Sequence, residues 1–276
     1  FFPSFSSVEQ LSTTISNLGY EVTINDNLPD TQEFYRFILL FSPSQETISQ
    51  FQPQTVDNLL IVDENKDFNS QVPVTLFDIS PADRIFIAGY LSAIISNDWR
   101  VGGLFPSEMI NNTSMDQIFQ NGVKFFCGRC LPVFGPIVNF PITASVATPE
   151  DENGTIQAFG TLSTNKVNTV FIPSPFLFED LVILLQQTKT TIISDSMFDS
   201  DRSDWVDYAI IDNLSTLIIE RIQNDLNQES VVVVPVDYSI MTSGEGLSTG
   251  KNNFISKLLN ELKNNFVSPY SINMNE

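Results

Sequence analysis

The chain has 276 residues, enough for one large domain or two smaller ones, each with its own core. Hydrophobic residues make up 42% and charged residues 17%, which excludes a disordered chain, and the net charge of −20 repels phosphate backbones, so neither nucleic acid nor an anionic membrane surface is expected as a partner. With no histidine, Ser-His-Asp and Cys-His catalysis are impossible within the chain, and no enzyme activity, metal or cofactor is expected.

Elements alternate from near the start. Residues 8–17 carry Val8, Leu11 and Ile15 at helical spacing that Leu18 continues, and Gly19 stops that helix ahead of an extended 20–24. Helix, glycine and strand in this order read as a βαβ half-unit. Residues 37–41 form a buried strand ending at Ser42, 45–50 a short helix, 59–62 an apolar strand closed by Asp63, and 72–77 another strand. From Asp83 an amphipathic helix, with small Ala88 and Gly89 suited to close packing, feeds through Asn97 and Asp98 into strand 100–105. That junction reads either as an ordinary core αβ unit or as the first passage between two lobes, with Gly102 to Phe105 opening the second.

The alternation continues. Residues 115–126 make a helix with Ile118, Phe119, Gly122 and Val123 inward; 136–140 and 142–146 are extended; 156–162 is a helix, 168–173 a strand, 178–187 a helix and 190–194 a strand. Residues 205–224 read as one long helix with Val206, Ile210, Leu214, Leu217, Ile218 and Ile222 on a single face. Strand 231–236, a loop at Gly244 and Gly246, and helix 254–262 complete the chain. Continuous apolar runs joined by helices imply parallel strands covered on both faces, so the expected architecture is α/β, two doubly wound parallel-sheet lobes.

The two cysteines stand in Cys127-Gly128-Arg129-Cys130. A redox motif needs a strand-to-helix context that the flanking Phe125, Phe126, Leu131 and Pro132 do not supply, so a local disulfide in an oxidising compartment is the favoured alternative. No apolar run reaches the ~18 residues of a membrane span. Phe1 in place of Met is read as a processed terminus.

The segments Ala88-Gly89-Tyr90-Leu91-Ser92-Ala93, Arg100-Val101-Gly102-Gly103-Leu104 and Phe119-Gln120-Asn121-Gly122-Val123-Lys124, taken in order, resemble the basic membrane protein family of substrate-binding lipoproteins. Thr191 to Asp195, Trp205 to Ala209 and Ser243 to Leu247 continue the likeness, which covers the chain from about residue 35 onward. The resemblance implies a type I periplasmic-binding fold of a nucleoside-type ABC importer. Its three-crossover hinge would lie near residues 98, 203 and 240, dividing the chain into 1–98 with 204–239 and 99–203 with 240–276. It also implies a role for Asp195, whose counterpart in the family accepts hydrogen bonds from ligand hydroxyls; the plain alternative is a cap on the next turn. The sequence departs from the family at Met241, where a basic residue is usual, and at 174–178, where a Gly-rich loop is usual.

Further candidates sit at strand ends: Ser42, Asp63, Phe105 and Phe176, with Gly244 in the Gly-rich crossover. Asp63 reads equally as a solvated loop acid, and Phe176 as core. The function expected is an extracytoplasmic solute-binding protein, monomeric, lipid-anchored through a removed N-terminal segment, closing two lobes on a nucleoside or sugar-like ligand and delivering it to a permease. The alternative is a sensing or structural module with a degenerate pocket that acts through a protein partner.

Overall fold

The computed structural model describes residues 5–25, 33–65, 69–132, 135, 138–196, 204–224, 231–244 and 246–271. The chain divides into two compact units, Phe1–Ser80 with Asp212–Asp237 and Pro81–Ile211 with Tyr238–Glu276. The first passage between them falls at 80–81, ahead of the helix that begins there and not near 98 after it; the second falls at 211–212 and not near 203, the third at 237–238.

Unit 1 is built on a parallel sheet of β1 (Tyr35–Phe41), β2 (Val56–Asp63), β3 (Val74–Asp78) and β11 (Val231–Pro235), in the order β1-β2-β3-β11. Leu59, Leu60, Ile61, Leu76 and Phe77 of the two central strands are fully buried, which is why these segments read as unbroken apolar runs. The helix α1 (Phe5–Asn17) buries Leu11 and Ile15. Helix α2 (Gln45–Ser49) is capped by Ser44, whose Oγ accepts the Thr47 N–H at 3.1 Å, and it buries Ile48. Residues 20–24 form no strand. They are mostly exposed, and the Tyr20 ring instead packs edge-on against Phe37 at 5.5 Å with the Arg36 guanidinium over it. The expected single helix over 205–224 is two elements, strand β10 (Tyr208–Asp212) and helix α7 (Leu214–Gln223). Ala209 and Ile210 are fully buried in the strand, and Asp212 breaks the run by accepting the Leu214 N–H at 3.1 Å.

Unit 2 carries a six-stranded sheet in the order β12-β10-β9-β8-β4-β7, with β4 (Val101–Pro106), β7 (Ile142–Val146), β8 (Thr169–Phe171), β9 (Thr191–Ser194) and β12 (Tyr238–Thr242). The neighbours of β4 are reached in opposite directions, β7 on one side and β8 on the other, as in a doubly wound sheet. Helix α3 (Pro81–Ile95) buries 12 of its 15 residues, so the apolar face expected to pack on a sheet extends to a helix covered nearly all round. It crosses α4 (Met115–Cys127) at reciprocal glycines. A Cβ on Gly89 would strike the Phe119 carbonyl, and one on Gly122 would strike the Phe86 carbonyl. This backbone contact binds α3 to unit 2. Helices α5 (Glu152–Thr164), α6 (Glu179–Gln187) and α8 (Thr249–Lys263) complete the unit.

The amino edge of this sheet is tied by polar groups. Asp98 accepts from Arg100 Nε and from Asn168 Nδ2, each at 2.9 Å, while Arg100 Nη2 donates to the Gly135 carbonyl at 3.1 Å. Residues 98–100, expected to be a hinge, are thus fastened to β8 within one unit. Cys127, the last residue of α4, and Cys130 form a disulfide, with Cα atoms 5.5 Å apart.

Candidate functional site

Open α/β sheets bind ligands outside the carboxyl ends of their strands, where the strand order reverses. In unit 2 that point lies beyond β4 and β8. Phe105, next to last in β4, is 2% exposed; its ring lies 5.2 Å from Phe119 and 5.7 Å from Phe171. The side chain proposed at this strand end is therefore part of the core. β4 carries Gly102 and Gly103 as its second and third residues because bulk is excluded there: a Cβ on Gly103 would lie 2.5 Å from the Phe105 ring.

After β8 the chain makes a single turn of 3-10 helix, Ser174–Phe176, over the end of β9. The Ser174 N–H donates to Asp195 Oδ1 at 2.7 Å, and Ser194 Oγ donates to the Ile172 carbonyl at 2.9 Å. Phe176 is 4% exposed and is placed in the core by that turn. Asp195 Oδ2 stands 4.0 Å from Arg84 Nη1, with both side chains under one-tenth exposed, and the Arg84 guanidinium lies over the Tyr238 ring at 5.5 Å. The carboxylate thus both caps the turn and faces a cation. Burial pushes the neighbouring strand's Tyr208 phenol up from its ordinary value, with the Asp207 carboxylate adding to it.

Gly244 is not brought to this edge. The preceding Ser243 N–H donates to the Asp207 carbonyl at 3.1 Å, beside the start of β10, whereas Asp195 lies just past the end of β9. The exposed Gly244 carbonyl accepts from Thr242 Oγ1.

In unit 1 the carboxyl edge collects Ser42 and Asp63 with an acid that sequence reasoning missed, Asp78. Ser42 is exposed, at φ 41°, and its N–H donates to the Val62 carbonyl at 2.9 Å. Asp63 and Asp78 end adjacent strands in register. Asp63 Oδ1 accepts the Asn65 N–H at 2.9 Å, a local turn that leaves the carboxylate half-buried. The signal for Asp78 was present, since Leu76-Phe77-Asp78 repeats the form of Ile61-Val62-Asp63. Arg84 was signalled too, as the one basic residue of α3, directly before the apolar run Ile85 to Ala88.

Among the described residues no group of acids and cysteines is placed to hold a metal ion, and no helix is long and apolar enough to cross a membrane. No family model and no curated protein matches the chain. Solved structures do. A transcriptional activator of the comK gene from Bacillus halodurans is similar over 97% of this chain and 87% of its own, at 12% identity and a TM-score of 0.57. An ABC transporter solute-binding protein from Conexibacter woesei is similar over 95% of this chain and 92% of its own, at 10% identity and a TM-score of 0.57. One from Aeropyrum pernix is similar over 96% and 82%, at 11% identity and a TM-score of 0.55. The fold is α/β with parallel-sheet lobes of the periplasmic-binding kind.

Proposed function

We propose that the chain is an extracytoplasmic solute-binding protein of an ABC importer, taking a small polar ligand of the nucleoside or sugar class and passing it to a permease. The observation that carries this reading is the carboxyl edge of unit 2, where a buried carboxylate and a guanidinium meet past the end of β9, one strand out from the reversal and beneath the turn that follows β8. A carboxylate accepts from vicinal hydroxyls and a guanidinium donates to carbonyl or ring oxygens, so Asp195 and Arg84 supply both halves of sugar recognition. Ser42, Asp63 and Asp78 offer hydroxyl and carboxylate groups at the corresponding edge of unit 1. Fold likeness to two ABC solute-binding proteins supports the reading, as does a chemistry that needs no histidine. The Cys127–Cys130 disulfide fits an oxidising compartment.

Thermal melting in the presence of nucleosides, pentoses, hexoses and amino acids tests it. A ligand present at a hundred times its Kd stabilises by about 2.7 kcal/mol. Asp195→Asn should erase the rise in Tm that the parent shows.

Burial of Phe105 and Phe176 and the internal contacts of Asp195 favour a second reading, a module whose pocket has closed and which signals through a protein partner. The likeness to a transcriptional activator is compatible with it. A melting temperature unmoved by every solute would decide for this second reading.

A further inference from the structure

The Cys127–Cys130 disulfide stands where two arms of unit 2 meet at the start of β4. One arm is the last turn of α4, in which Phe126, directly before Cys127, packs on Trp99 at 5.9 Å. The other begins at Cys130, which pairs with Phe140 in an isolated antiparallel bridge. The Phe140 ring in turn lies under the Arg100 guanidinium at 5.8 Å. Residues 99 and 100 are thus gripped by both arms, and the sulfur–sulfur bond joins the arms. Trp99 has reason to be gripped: at φ 66° it holds a left-handed backbone conformation that a bulky residue adopts only under constraint.

The two sulfurs differ in access. Cys130 is 2% exposed, whereas Cys127 is half-buried and is followed by Gly128 and Arg129, both exposed. A thiolate arriving from solvent therefore meets Cys127 Sγ first. Both sulfurs also face an acceptor that a disulfide cannot use. The Val123 carbonyl lies 3.2 Å from Cys127 Sγ and 4.0 Å from Cys130 Sγ, so a thiol formed at either position can donate to it where it stands. The opened form is accommodated as well as the closed one.

We propose that this disulfide is a redox switch, opened by a dithiol reductant and closed again by oxidation, that sets whether the start of β4 is gripped. In the opening step a thiolate of the reductant attacks Cys127 Sγ, the sulfur–sulfur bond breaks, and Cys130 leaves as a thiolate that takes up a proton. The reductant's second thiolate then attacks the reductant sulfur of the mixed disulfide. Cys127 leaves and is protonated in its turn, and the dithiol, having given up two electrons, ends as its own disulfide. With Cys130 no longer joined to α4, the two arms can part and Trp99 can relax. Asp98 still accepts from Arg100 Nε and from Asn168 Nδ2, so the sheet itself persists and the change stays local. Switching of this kind does not depend on solute binding.

Hydrogen exchange of the full chain, oxidised and after treatment with dithiothreitol, tests it. The chain-entropy relation for a closed loop of four residues gives roughly a twentyfold change in the opening equilibrium, so the amides of Val101, Cys130, Leu131 and Phe140 should exchange about that much faster after reduction. Those of β9 and of the unit 1 strands should not change, and reoxidation with oxidised glutathione should restore the first rates. The double variant Cys127→Ser, Cys130→Ser, which cannot close, should match the reduced parent and ignore dithiothreitol. Opening by glutathione, quenched with N-ethylmaleimide, should leave glutathione on Cys127 and the maleimide on Cys130. Unchanged exchange in the fully reduced parent overturns the proposal. Equal acceleration across both sheets overturns it too, since a bond that acts through the unfolded chain is a staple of the whole fold and not a switch. So does glutathione found on Cys130, or a bond that dithiothreitol leaves intact while the chain stays folded.

Discussion

The two units solve the same packing problem differently. The sheet of unit 1 runs in one direction among its described strands, β1-β2-β3-β11, and its centre is mainly aliphatic, with Phe77 the one ring in its two central strands; it ends on a strand whose Val231 and Val233 are 39% and 46% exposed. The sheet of unit 2 reverses about β4 and is packed around Phe105, Phe119 and Phe171, with a polar tie at its amino edge. A reversal opens a crevice by sending successive connections to opposite faces. Unit 2 has filled the floor of that crevice with rings, so the groups that the proposed function assigns to recognition are the polar Asp195 and Arg84, held beside a turn, and not the aromatics at its strand ends.

The sharpest way to break this contrast is to remove a ring. Phe119→Ala should cost unit 2 about 3–5 kcal/mol, from lost transfer energy and the cavity left behind. Hydrogen exchange should show the loss of protection in β4, β8 and α4, and Leu60→Ala in unit 1 should place its own loss in β2 and β3. Next comes the α3–α4 crossing. Gly122→Ala forces a Cβ onto the Phe86 carbonyl and should cost about 1–3 kcal/mol in a denaturant melt. Gly160, in the interior of α5, is the control: nothing lies within 4 Å of a Cβ there, and Gly160→Ala should stabilise by about 0.4–1 kcal/mol. Equal responses at the two glycines would mean that α3 and α4 do not approach as described.

Most of the strands were legible because a buried parallel strand has little choice of composition. Residues 59–62 and 191–194 hold β-branched runs closed by an acid, Asp63 and Asp195, and 101–105 is a short apolar run closed by Pro106. What failed was the assignment of elements to partners. Residues 206–222 satisfy a helical repeat only because a strand and a helix, joined at Asp212 and Asn213, happen to keep the spacing. Residues 20–24 have strand composition but find no neighbour to pair with. The first passage was misplaced for the same reason. Whether α3 packs with the strands before it or with those after it is decided by Gly89 against Gly122, a contact 33 residues apart that no local pattern contains. At the candidate site, Asp63 and Asp195 were visible as acids closing apolar runs, whereas the fate of Phe105 and Phe176 turned on burial, which composition does not encode.

The amino-edge tie offers a milder test of how unit 2 is held. Asp98→Asn keeps an acceptor for Asn168 but removes the charge facing the buried Arg100, and it should cost about 1–3 kcal/mol. The tie joins the start of β4 to the start of β8 and touches no strand of unit 1, so the loss of protection should appear in those two strands alone.

The smallest effect expected is one of pH. Burial, with Glu261 nearby, pushes the Tyr90 phenol up from its ordinary value, and burial with Asp207 does the same for Tyr208; both belong to unit 2. When the folded-state value is raised, the native state holds its proton to higher pH than the unfolded chain, so unfolding releases protons and alkali favours it. Stability should therefore be intact below about pH 10, the ordinary phenol value, and decline as pH rises through it. Tyr90→Phe should flatten part of that decline in melts taken across the alkaline range. An unchanged slope in the variant would show that the ring's hydroxyl is as well solvated in the folded chain as in the unfolded one.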